Sequence, residues 1–393
     1  MPSASVIRRY LEQFHNKEEE NKRVAGTAFI PEKNELLEKL INLNDVLIDF
    51  AQTKTPSEIA TLDQDATLVG THKRTALYCY KNYKAYQPFN TYWHEQGLLL
   101  HSEFRDGNVP AGFEQLRLFQ DGLNRLPDSV KKVFLRSDSA GYQQDLLEYC
   151  AKGKNSRFGI IEFAVAIRVT ASFKESIIEA TKWNTIYKKG PKDTKIKTNQ
   201  EWAEINFVPT RAALSKKTPD YRYIAIREPF EEKASANKNA TEEDLPFQTI
   251  VLDKQSYKLF GIVTNRTIDG HELVHWHRER CGESEHVHST QKNGLAGGHL
   301  PSEKFGANAA WWQIMVLALN LIVLMNNLVL PEALKNKNIK ALRFYVIGVS
   351  GKVIQHARKL YIRLSGDRET IDTLCYIAAK IAHLAHAPPA VVV

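Results

Sequence analysis

The sequence predicts an α/β protein whose core is a mixed β-sheet flanked by helices. Strand-like runs of alternating character occupy 59–69, 74–83 and 90–104, with turn-forming residues between them. Helix-like and strand-like patterns then alternate as far as residue 167. With 393 residues, of which 43% are hydrophobic and 25% charged, the chain has a globular composition. It could form one large domain with an insertion, or two or three smaller domains.

The order of the predicted elements narrows the fold class. After the three strands come a helix over 110–126, a strand over 130–138, a helix over 140–151 and a strand over 157–167. The first three strands are expected to form an antiparallel meander, and the later strands follow helical crossovers. This is the element order of a ribonuclease H-like fold.

Composition shifts divide the chain into five predicted segments. They are a helical N-terminal segment (1–54), the first part of the ribonuclease H-like domain (55–181), a β-rich insertion (182–267), the second part of that domain (268–332) and a basic helical C-terminal region (333–393). The insertion is assigned from the strand-like runs INFV, YRYIAI, FQTIVL and YKLFGIVT. The polar stretch 231–244 is expected to be a loop inside it.

Charge and cysteine content limit the function classes. Lys and Arg number 53 against 45 Asp and Glu, and the formal net charge of +8 favours polyanionic partners such as nucleic acid. An ordinary basic soluble protein is the alternative. The four cysteines contain no CxxC pair, which argues against a disulfide framework and a cysteine-based zinc site. Without an apolar signal segment at the N-terminus, a cytoplasmic location is expected.

One apolar run is long enough to resemble a membrane span. Residues 311–330 contain no charged side chain and end before Pro331. However, Gln313, Asn320, Asn326 and Asn327 would be costly to expose to lipid. The run is therefore predicted to be a helix buried in the core, and no membrane partner is expected.

Three acidic residues lie where metal-dependent phosphoryl chemistry requires them. Asp65 is in the first predicted strand, Asp138 ends the fourth, and Glu285 is on a late helix. In a ribonuclease H-like sheet the first and fourth strands are neighbours, so these carboxylates can converge. Oxygen ligands suit two Mg²⁺ or Mn²⁺ ions, which activate an attacking oxygen and stabilise a leaving oxygen at phosphorus.

Each of these carboxylates has an alternative interpretation. Asp138 precedes Ser139 and could simply cap a helix. Asp63 lies two residues before Asp65, so both point to one face of a strand and periodicity does not choose between them. Glu285 could belong to a solvated helix face.

Basic residues accompany the late carboxylate. Lys292 lies seven residues, or two helical turns, after Glu285 and is expected on the same helix face. Arg280 precedes them on the same predicted helix. A carboxylate for metal with Arg and Lys nearby for phosphate is a sensible grouping for a nucleic-acid enzyme.

A competing pattern occurs at the start of this helix. The segment from His271 to His275 reads HELVH, which satisfies the HExxH zinc signature. Six of the 13 histidines lie between His271 and His299, so a chance match is easier there. The charged sequence that follows differs from an amphipathic metalloprotease helix, and a solvated or DNA-facing helix is the favoured interpretation.

Several longer motifs occur in order along the chain. They are LDQDAT (62–67), YKNYKAYQP (80–88), EFRDGN (103–108), LRSDSAGYQ (135–143) and RCGESEHVHSTQKNGLAGGHLPSEKFGANAAWW (280–312). Through these motifs, over roughly 55–365, the sequence resembles DDE transposases of bacterial insertion sequences, and most closely the insertion-sequence thirteen-eighty group. The resemblance implies the ribonuclease H-like fold with a β-rich insertion between the second aspartate and the glutamate.

The resemblance also implies roles for individual residues. Asp65, Asp138 and Glu285 would be the catalytic metal ligands, with Asp63 a bystander. Lys292 fits the E-x6-K spacing of a lysine that contacts transposon-end DNA, and Arg280 looks like the arginine of the same signature. The lysine-rich loop becomes a candidate contact to the DNA backbone, the alternative being a solvated loop; its residues are Lys188, Lys189, Lys192, Lys195 and Lys197.

The sequence departs from the family pattern at two places. His277 stands where related families usually have tyrosine, and four residues instead of three separate Arg280 from Glu285. The second departure makes Glu283 a minor rival to Glu285. Relatives also usually start further upstream, so segment 1–54 is interpreted as part of a shortened DNA-binding region.

The implied function is a transposase that cleaves the ends of its element and joins them to target DNA. The expected partners are double-stranded DNA, as element inverted repeats and target, and a second copy of the chain in a homodimeric DNA complex. The expected location is the bacterial cytoplasm, in association with the nucleoid. The alternatives are a truncated, catalytically inactive transposase that only binds DNA, and a nuclease on the same fold that cuts without joining.

Overall fold

The fold is described from a computed structural model, which covers residues 3–209, 221–230 and 247–384. The predicted loop at 231–244 lies outside these ranges. The α-helices are α1 (Ala4–Glu12), α2 (Lys17–Glu20), α3 (Glu35–Lys54), α4 (Gln115–Asn124), α5 (Gln144–Ala151), α6 (Ala171–Ile178), α7 (Gly270–Ser289), α8 (Phe305–Leu328), α9 (Ile339–Leu342) and α10 (Arg368–Leu384). A 3₁₀ turn at Ser139–Gly141 and a π-helical turn at Thr290–Gly294 adjoin the site described below.

The described strands number fourteen. They are β1 (Ile59–Ala66), β2 (Val69–Gly70), β3 (Ala85–Tyr86), β4 (Phe89–Trp93), β5 (Leu98–Glu103), β6 (Lys132–Ser137), β7 (Glu162–Ile167), β8 (Asn184–Lys189), β9 (Lys195–Ile205), β10 (Arg222–Pro229), β11 (Gln248–Leu252), β12 (Gln255–Thr264), β13 (Gly351–His356) and β14 (Lys359–Leu364).

A large mixed sheet organises the molecule. Its first five strands follow the order β5-β4-β1-β6-β7. β1, β4 and β5 are antiparallel neighbours, whereas β6 lies parallel to β1 and β7 parallel to β6. The prediction of a mixed sheet flanked by helices in the ribonuclease H-like order is thereby confirmed. β1, at the centre of these five strands, is buried from Ala60 to Gln64.

The strands of the insertion extend this sheet and do not form a separate one. β12 pairs antiparallel with β7, and the sheet continues through β10 and β9 to β8. The predicted strand-like runs correspond to the end of β9 and to β10, β11 and β12. The edge of β7 would otherwise expose unpaired backbone groups, and β12 satisfies them.

The second of the three early strand predictions was wrong. Residues 74–83 contain turns and one isolated bridge, between Tyr78 and Lys84. The third predicted run, 90–104, instead supplies most of both β4 and β5, which are joined by a tight turn at Gly97 with φ 70°. The meander therefore exists, but its members are β1, β4 and β5.

The apolar run is part of helix α8. By length and composition α8 could cross a membrane, and 56% of its most hydrophobic window is buried inside the protein. Its polar residues explain this position, because buried Asn320 accepts a hydrogen bond from the Leu99 amide (2.9 Å) and donates to the Leu99 carbonyl (2.8 Å). The Asn320 amide group also donates to Asn44 of α3 at 2.8 Å. Its amide thus joins α8 to β5 and α3.

The C-terminal region is only partly helical. The prediction of a wholly helical segment was wrong for residues 351–364, where β13 and β14 form an antiparallel hairpin. One face of this hairpin carries Val353, Leu360 and Ile362, whose exposures are 65, 72 and 70%. Leu360 and Ile362 are two residues apart on one strand, and Val353 pairs with Ile362, so all three share that face.

A buried carboxylate supports the end of β5. Glu103 is 1% exposed and accepts hydrogen bonds from Arg105 (3.1 Å) and Arg117 (3.0 Å), with Lys33 Nζ at 3.5 Å. Burial alone would raise the pKa of Glu103, but the three cations outweigh it and hold the pKa at about 2. The charged carboxylate therefore neutralises the buried Arg105 and two partly exposed cations.

We expect Glu103→Gln to lower the free energy of unfolding by roughly 3–5 kcal/mol at neutral pH, because Arg105 would remain buried without its counter-ion. In the wild type the stabilisation is present above the ordinary pKa of 4.5 and is lost as pH falls toward about 2. Urea unfolding at several pH values measures both effects. The control is Glu114→Gln, because the more exposed Glu114 contacts the same Arg117 and should contribute less than about 1 kcal/mol. Equal losses in the two variants would contradict the prediction.

Candidate functional site

Two aspartates lie side by side where the parallel pairing of strands β1 and β6 ends. The last paired residues of these strands are Gln64 and Ser137, and Asp65 and Asp138 follow them directly. Because parallel neighbours end at the same sheet edge, both carboxylates are carried to one place. The sequence prediction that these strands are adjacent is confirmed.

Asp138 caps the turn that follows β6. Its Oδ1 accepts a hydrogen bond from the Ala140 amide at 3.0 Å, so the capping interpretation is correct locally. The cap fixes the orientation of the side chain through one of its two oxygens. The half-buried residue can still offer Oδ2 to a ligand.

The environment of Asp65 disfavours the charged form of its carboxylate. Burial raises its pKa to about 6; the charge of Arg280 lowers it, and the nearby carboxylate of Asp138 raises it again. The Asp65 side chain nevertheless keeps 24% of its surface exposed. A divalent cation bound between Asp65 and Asp138 would reduce the repulsion between the two carboxylates and compensate for the desolvation of Asp65.

Helix α7 lies across this edge of the sheet. Its buried positions include His277, Arg280 and Ser284, three and four residues apart, so one helical face meets the strands. His277 Nε2 lies 3.1 Å from the carbonyl oxygen of Ser137, immediately before Asp138. Burial lowers the pKa of His277 to about 3, so the ring is neutral and donates to this carbonyl.

Arg280 and Lys292 bring positive charge to Asp65. Arg280 Nη2 is 3.7 Å from Asp65 Oδ2, and its buried Nε has no hydrogen-bond partner among the described residues. Lys292 is in the π-helical turn after α7, where its Nζ donates to Thr67 Oγ1 at 2.9 Å and lies 3.5 Å from the Leu68 carbonyl. Burial lowers the pKa of Lys292, and the charge of Asp65 opposes this. In the described part of the chain, Lys292 has no ion pair.

Glu285 lies on α7 between these two cations in sequence, but its side chain is exposed. It follows the buried Ser284 and therefore lies about 100° around the helix from that position. Within the described ranges it makes no hydrogen bond or ion pair with Asp65 or Asp138. The structure thus brings together Asp65, Asp138, Arg280 and Lys292. The Glu285 side chain, on the same helix as Arg280, is exposed to solvent.

Asp63 has a different environment from Asp65. It is 1% exposed, and its two oxygens accept hydrogen bonds from Arg136 at 2.6 and 2.8 Å. Arg136 also donates to the Trp276 carbonyl (2.6 Å) and to Glu279 (2.9 Å), both on α7. Asp63 therefore belongs to a buried ion pair that joins β1, β6 and α7. Of the two aspartates on β1, Asp65 is the one that solvent can reach.

Glu283 is held on another side of α7. Its Oε2 lies 2.6 Å from His94 Nδ1, and this hydrogen bond raises the pKa of His94. Ligand atoms of Asp63, His94 and Glu283 lie within 4.8 Å of one another, a spacing that could hold a metal ion. Because Arg136 already occupies both Asp63 oxygens, the group is better described as a network of ion pairs.

The HExxH segment is part of a packing contact. His271 and His275 place Nε2 3.2 and 2.6 Å from the Tyr187 carbonyl, and their ring centroids are 4.5 Å apart. Glu272 is exposed. These contacts attach the start of α7 to β8. Gly270 contributes, because a side chain there would collide with the Trp202 ring.

The lysine-rich loop is the exposed tip of the β8–β9 hairpin. Lys188 pairs in register with Ile196, and Lys189 with Lys195. Lys189 Nζ contacts Asp193 at 2.8 Å, whereas Lys188 and Lys195 have no ion pair among the described residues. All of its lysines are exposed, including Lys197. The hairpin lies at the opposite edge of the sheet from β5, away from the carboxylates.

Sequence reasoning missed several side chains that position the site. Arg136 fixes α7, and His277 holds the carbonyl before Asp138. Gln115 donates to Gln64 (3.2 Å) and to Ser137 (3.0 Å), tying together the ends of β1 and β6. A signal was present for Arg136, a charged residue inside an apolar strand run, and for His277, which lies on the buried spacing of its helix.

These features define a chain of the ribonuclease H-like class with an acidic site at the edge of its central sheet. The family described as Transposase DDE domain group 1 matches residues 1–386, and the chain belongs to this family. No curated protein sequence matches the chain.

One structure with detectable similarity is a piggyBac transposase synaptic complex with hairpin DNA, determined by cryo-EM. It is 8% identical to the chain, with a TM-score of 0.36. The match covers 67% of this chain and 48% of that one, so the chain aligns with about half of that protein.

We expect Asp65→Asn to raise the free energy of unfolding by roughly 1–2 kcal/mol at neutral pH in EDTA, because it removes a desolvated charge beside Asp138. Since the folded-state pKa of about 6 lies above the ordinary 3.8, wild-type stability should fall as pH rises between these values. The variant should lack that slope, and Mg²⁺ should stabilise it less than the wild type.

Asp63→Asn is the matched comparison two residues away. It should lower the free energy of unfolding by about 3 kcal/mol, since Arg136 would lose its buried counter-ion. Chemical denaturation of both variants, with and without Mg²⁺, tests the assignment. If Asp63→Asn were stabilising and Asp65→Asn destabilising, the roles of the two aspartates would be reversed.

Proposed function

We propose that this protein is a DNA transposase that binds the inverted repeats at the ends of its element, cleaves a phosphodiester bond at each end and transfers the freed 3′-hydroxyl to target DNA. The observation that carries the proposal is the adjacency of Asp65 and Asp138 at the ends of parallel strands, beneath a helix bearing Arg280 and Lys292. Membership of a transposase DDE family supports the same conclusion.

Asp65, Asp138 and Glu285 are the proposed ligands of two Mg²⁺ or Mn²⁺ ions. The residues fit such ions, because the raised pKa of Asp65 reflects a carboxylate that is desolvated and repelled by its neighbour. When bound, the ions supply activation of the attacking oxygen and stabilisation of the leaving oxygen. Glu285, exposed on α7, completes the set by turning its side chain toward the two aspartates.

The chain's own residues orient the DNA. The buried Nε of Arg280 has no hydrogen-bond partner in the part of the chain that the structure describes, and it is proposed to donate to a phosphate oxygen. Lys292, held by Thr67, adds a second positive charge that forms no ion pair with any described residue. The capped Asp138 and the hydrogen bond from His277 to Ser137 keep the reacting edge rigid. Water is the nucleophile in the cleavage step and the DNA 3′-hydroxyl in the joining step.

The lysine-bearing hairpin gives the DNA duplex a second contact. His271, which touches β8, and Arg280, which touches Asp65, are nine positions apart on α7, a distance of about 14 Å. This spacing is less than the width of a DNA double helix. Exposed Lys188, Lys189, Lys195 and Lys197 are therefore proposed to bind the backbone of the duplex whose end occupies the site.

A homodimer is the proposed assembly on DNA, since two ends must be brought together. The uncovered apolar face of the β13–β14 hairpin supports this, because Val353, Leu360 and Ile362 are exposed among the described residues.

The amide side chains of α8 that form hydrogen bonds within the core support the proposal that this helix does not span a membrane. We further propose a bacterial insertion sequence of the thirteen-eighty group as its origin, and action on nucleoid DNA in the cytoplasm.

We expect Asp138→Ala and Glu285→Gln to lower Mg²⁺-dependent cleavage at least about a hundredfold while DNA binding persists, because even residues that only support a metal ligand typically contribute 10–100-fold. The assay compares a labelled duplex carrying the inverted repeat with a scrambled duplex, and detects strand cleavage and joining. Light scattering on the same DNA complex measures its mass and tests the homodimer.

Glu272→Gln is the control, because Glu272 is an exposed acid on the same helix and belongs to the HExxH pattern. It should leave cleavage unchanged. Full cleavage by Asp138→Ala would contradict the metal assignment. Repeat-specific binding without any cleavage by the wild type would favour the inactive DNA-binding alternative, and cutting without joining would favour a nuclease.

We expect the double variant Lys188→Ala with Lys195→Ala to reduce the slope of log affinity against log salt by about 2, since each lost phosphate contact removes about 0.9 from it. Fluorescence anisotropy with duplex DNA over a range of salt concentrations measures the slope. Lys39→Ala, which removes an exposed lysine of α3 already paired with Glu35, is the control and should leave it unchanged. An unchanged slope in the double variant would remove the β8–β9 hairpin from the proposed DNA path.

A further inference from the structure

A small hairpin carries three exposed tyrosines near the candidate site. We name residues 78–84 the tyrosine hairpin. Tyr78, Tyr80 and Tyr83 are 63, 72 and 40% exposed. Tyrosine rings are normally buried at least in part, so three exposed rings in seven residues form an unusual surface.

The tyrosine hairpin has a defined shape. Tyr78 and Lys84 form an antiparallel bridge, and the Cys79 amide donates to the Tyr83 carbonyl at 2.9 Å. Asn82 closes the turn at φ 61°, a conformation that asparagine tolerates, and its amide donates to the Cys79 carbonyl at 3.0 Å. Cys79 itself is buried and anchors the hairpin. The rings are thus presented by an ordered turn.

Its base adjoins the residues that hold Lys292. The Thr71 amide donates to the Lys84 carbonyl at 2.9 Å, and the Tyr83 ring lies against Gly70 at the end of β2. Leu68, whose carbonyl faces Lys292 Nζ, is two residues before Gly70. The hairpin therefore projects from the segment that directly follows the end of β1, where Asp65 lies.

The charged side chains of the segment itself are positive. Residues 71–84 contain Lys73, Arg74, Lys81 and Lys84 and no Asp or Glu. Within the described part of the chain, these four side chains form no ion pair. Lys81 Nζ lies 5.8 Å from the centroid of the Tyr80 ring, and Lys84 Nζ lies 6.0 Å from that of Tyr78. Positive charge is thus interleaved with exposed aromatic faces.

This combination matches nucleic acid whose bases are not paired. Lysines attract the phosphate backbone, and aromatic rings stack on bases, as in single-strand binding surfaces. A paired duplex offers the phosphates but keeps its base faces stacked internally. We propose that the tyrosine hairpin stacks on unpaired bases of the DNA end that occupies the site, with Tyr80 at its tip as the main stacking residue. The inference rests on the proposed function and adds the form of DNA that the site prefers.

The test compares two forms of one DNA end. Fluorescence anisotropy in EDTA, which prevents cleavage, measures the affinity of the full chain for a blunt duplex and for the same duplex with mismatched terminal base pairs. Wild type should bind the mismatched end more tightly. Tyr80→Ala should lower affinity for the mismatched end about fivefold or more while changing blunt-end affinity less than about twofold. Tyr80→Phe, which keeps the ring, should behave as wild type, and Tyr78→Ala should show a smaller loss of the same kind.

Tyr376→Ala is the matched control, because Tyr376 is 44% exposed on α10 and has Lys380 Nζ 5.5 Å from its ring. It should leave both affinities unchanged. Equal wild-type affinity for the two ends, or equal losses for both ends in Tyr80→Ala, would overturn the inference and leave the proposed function standing. Failure of the wild type to bind either DNA would instead contradict the proposed function.

Discussion

The guanidinium of Arg136 is the interaction on which the site depends. It joins β6, which carries it, to Asp63 of β1 and to the backbone and side chain of α7. Since the group is fully buried, its hydrogen bonds must all be made at once, and they fix the position of α7 on the sheet.

That position determines what lies above Asp65. Arg136 holds Trp276 of α7 close to Asp63 of β1. Arg280 is about one helical turn further along α7, and its Nη2 lies 3.7 Å from Asp65 Oδ2. The buried ion pair thus sets the register between the helix that supplies cations and the strand that supplies a carboxylate.

The site combines stabilising and destabilising electrostatics. Glu103 and Asp63 are buried carboxylates with arginine partners, and they support β5 and α7. Asp65, in contrast, lies next to Asp138 and has Arg280 Nη2 at 3.7 Å but no described arginine within hydrogen-bond distance of its oxygens, so these oxygens remain open to a ligand. Both kinds of carboxylate occur on β1, two residues apart, and differ in whether an arginine occupies their oxygens.

The order of elements around the central sheet was readable from local patterns, because the residues before Asp65 and Asp138 are buried within their own strands and their apolar character shows in the sequence. The amide side chains within the apolar run also predicted that α8 lies in the core, because they would be costly to expose to lipid. Local patterns failed at 74–83, where Tyr78 and Tyr80 are spaced as in a strand but the segment contains turns, and at 351–364, where a hairpin interrupts predicted helix. In the first case, alternation reports which residues face alike and says nothing about whether a partner strand is present. Strand periodicity did not separate Asp63 from Asp65, and the physical difference between them came from the tertiary structure, because the partner of Asp63, Arg136, lies 73 residues away on another strand. Contacts of that range depend on strand pairing and helix placement, and residue spacing along one segment does not encode them.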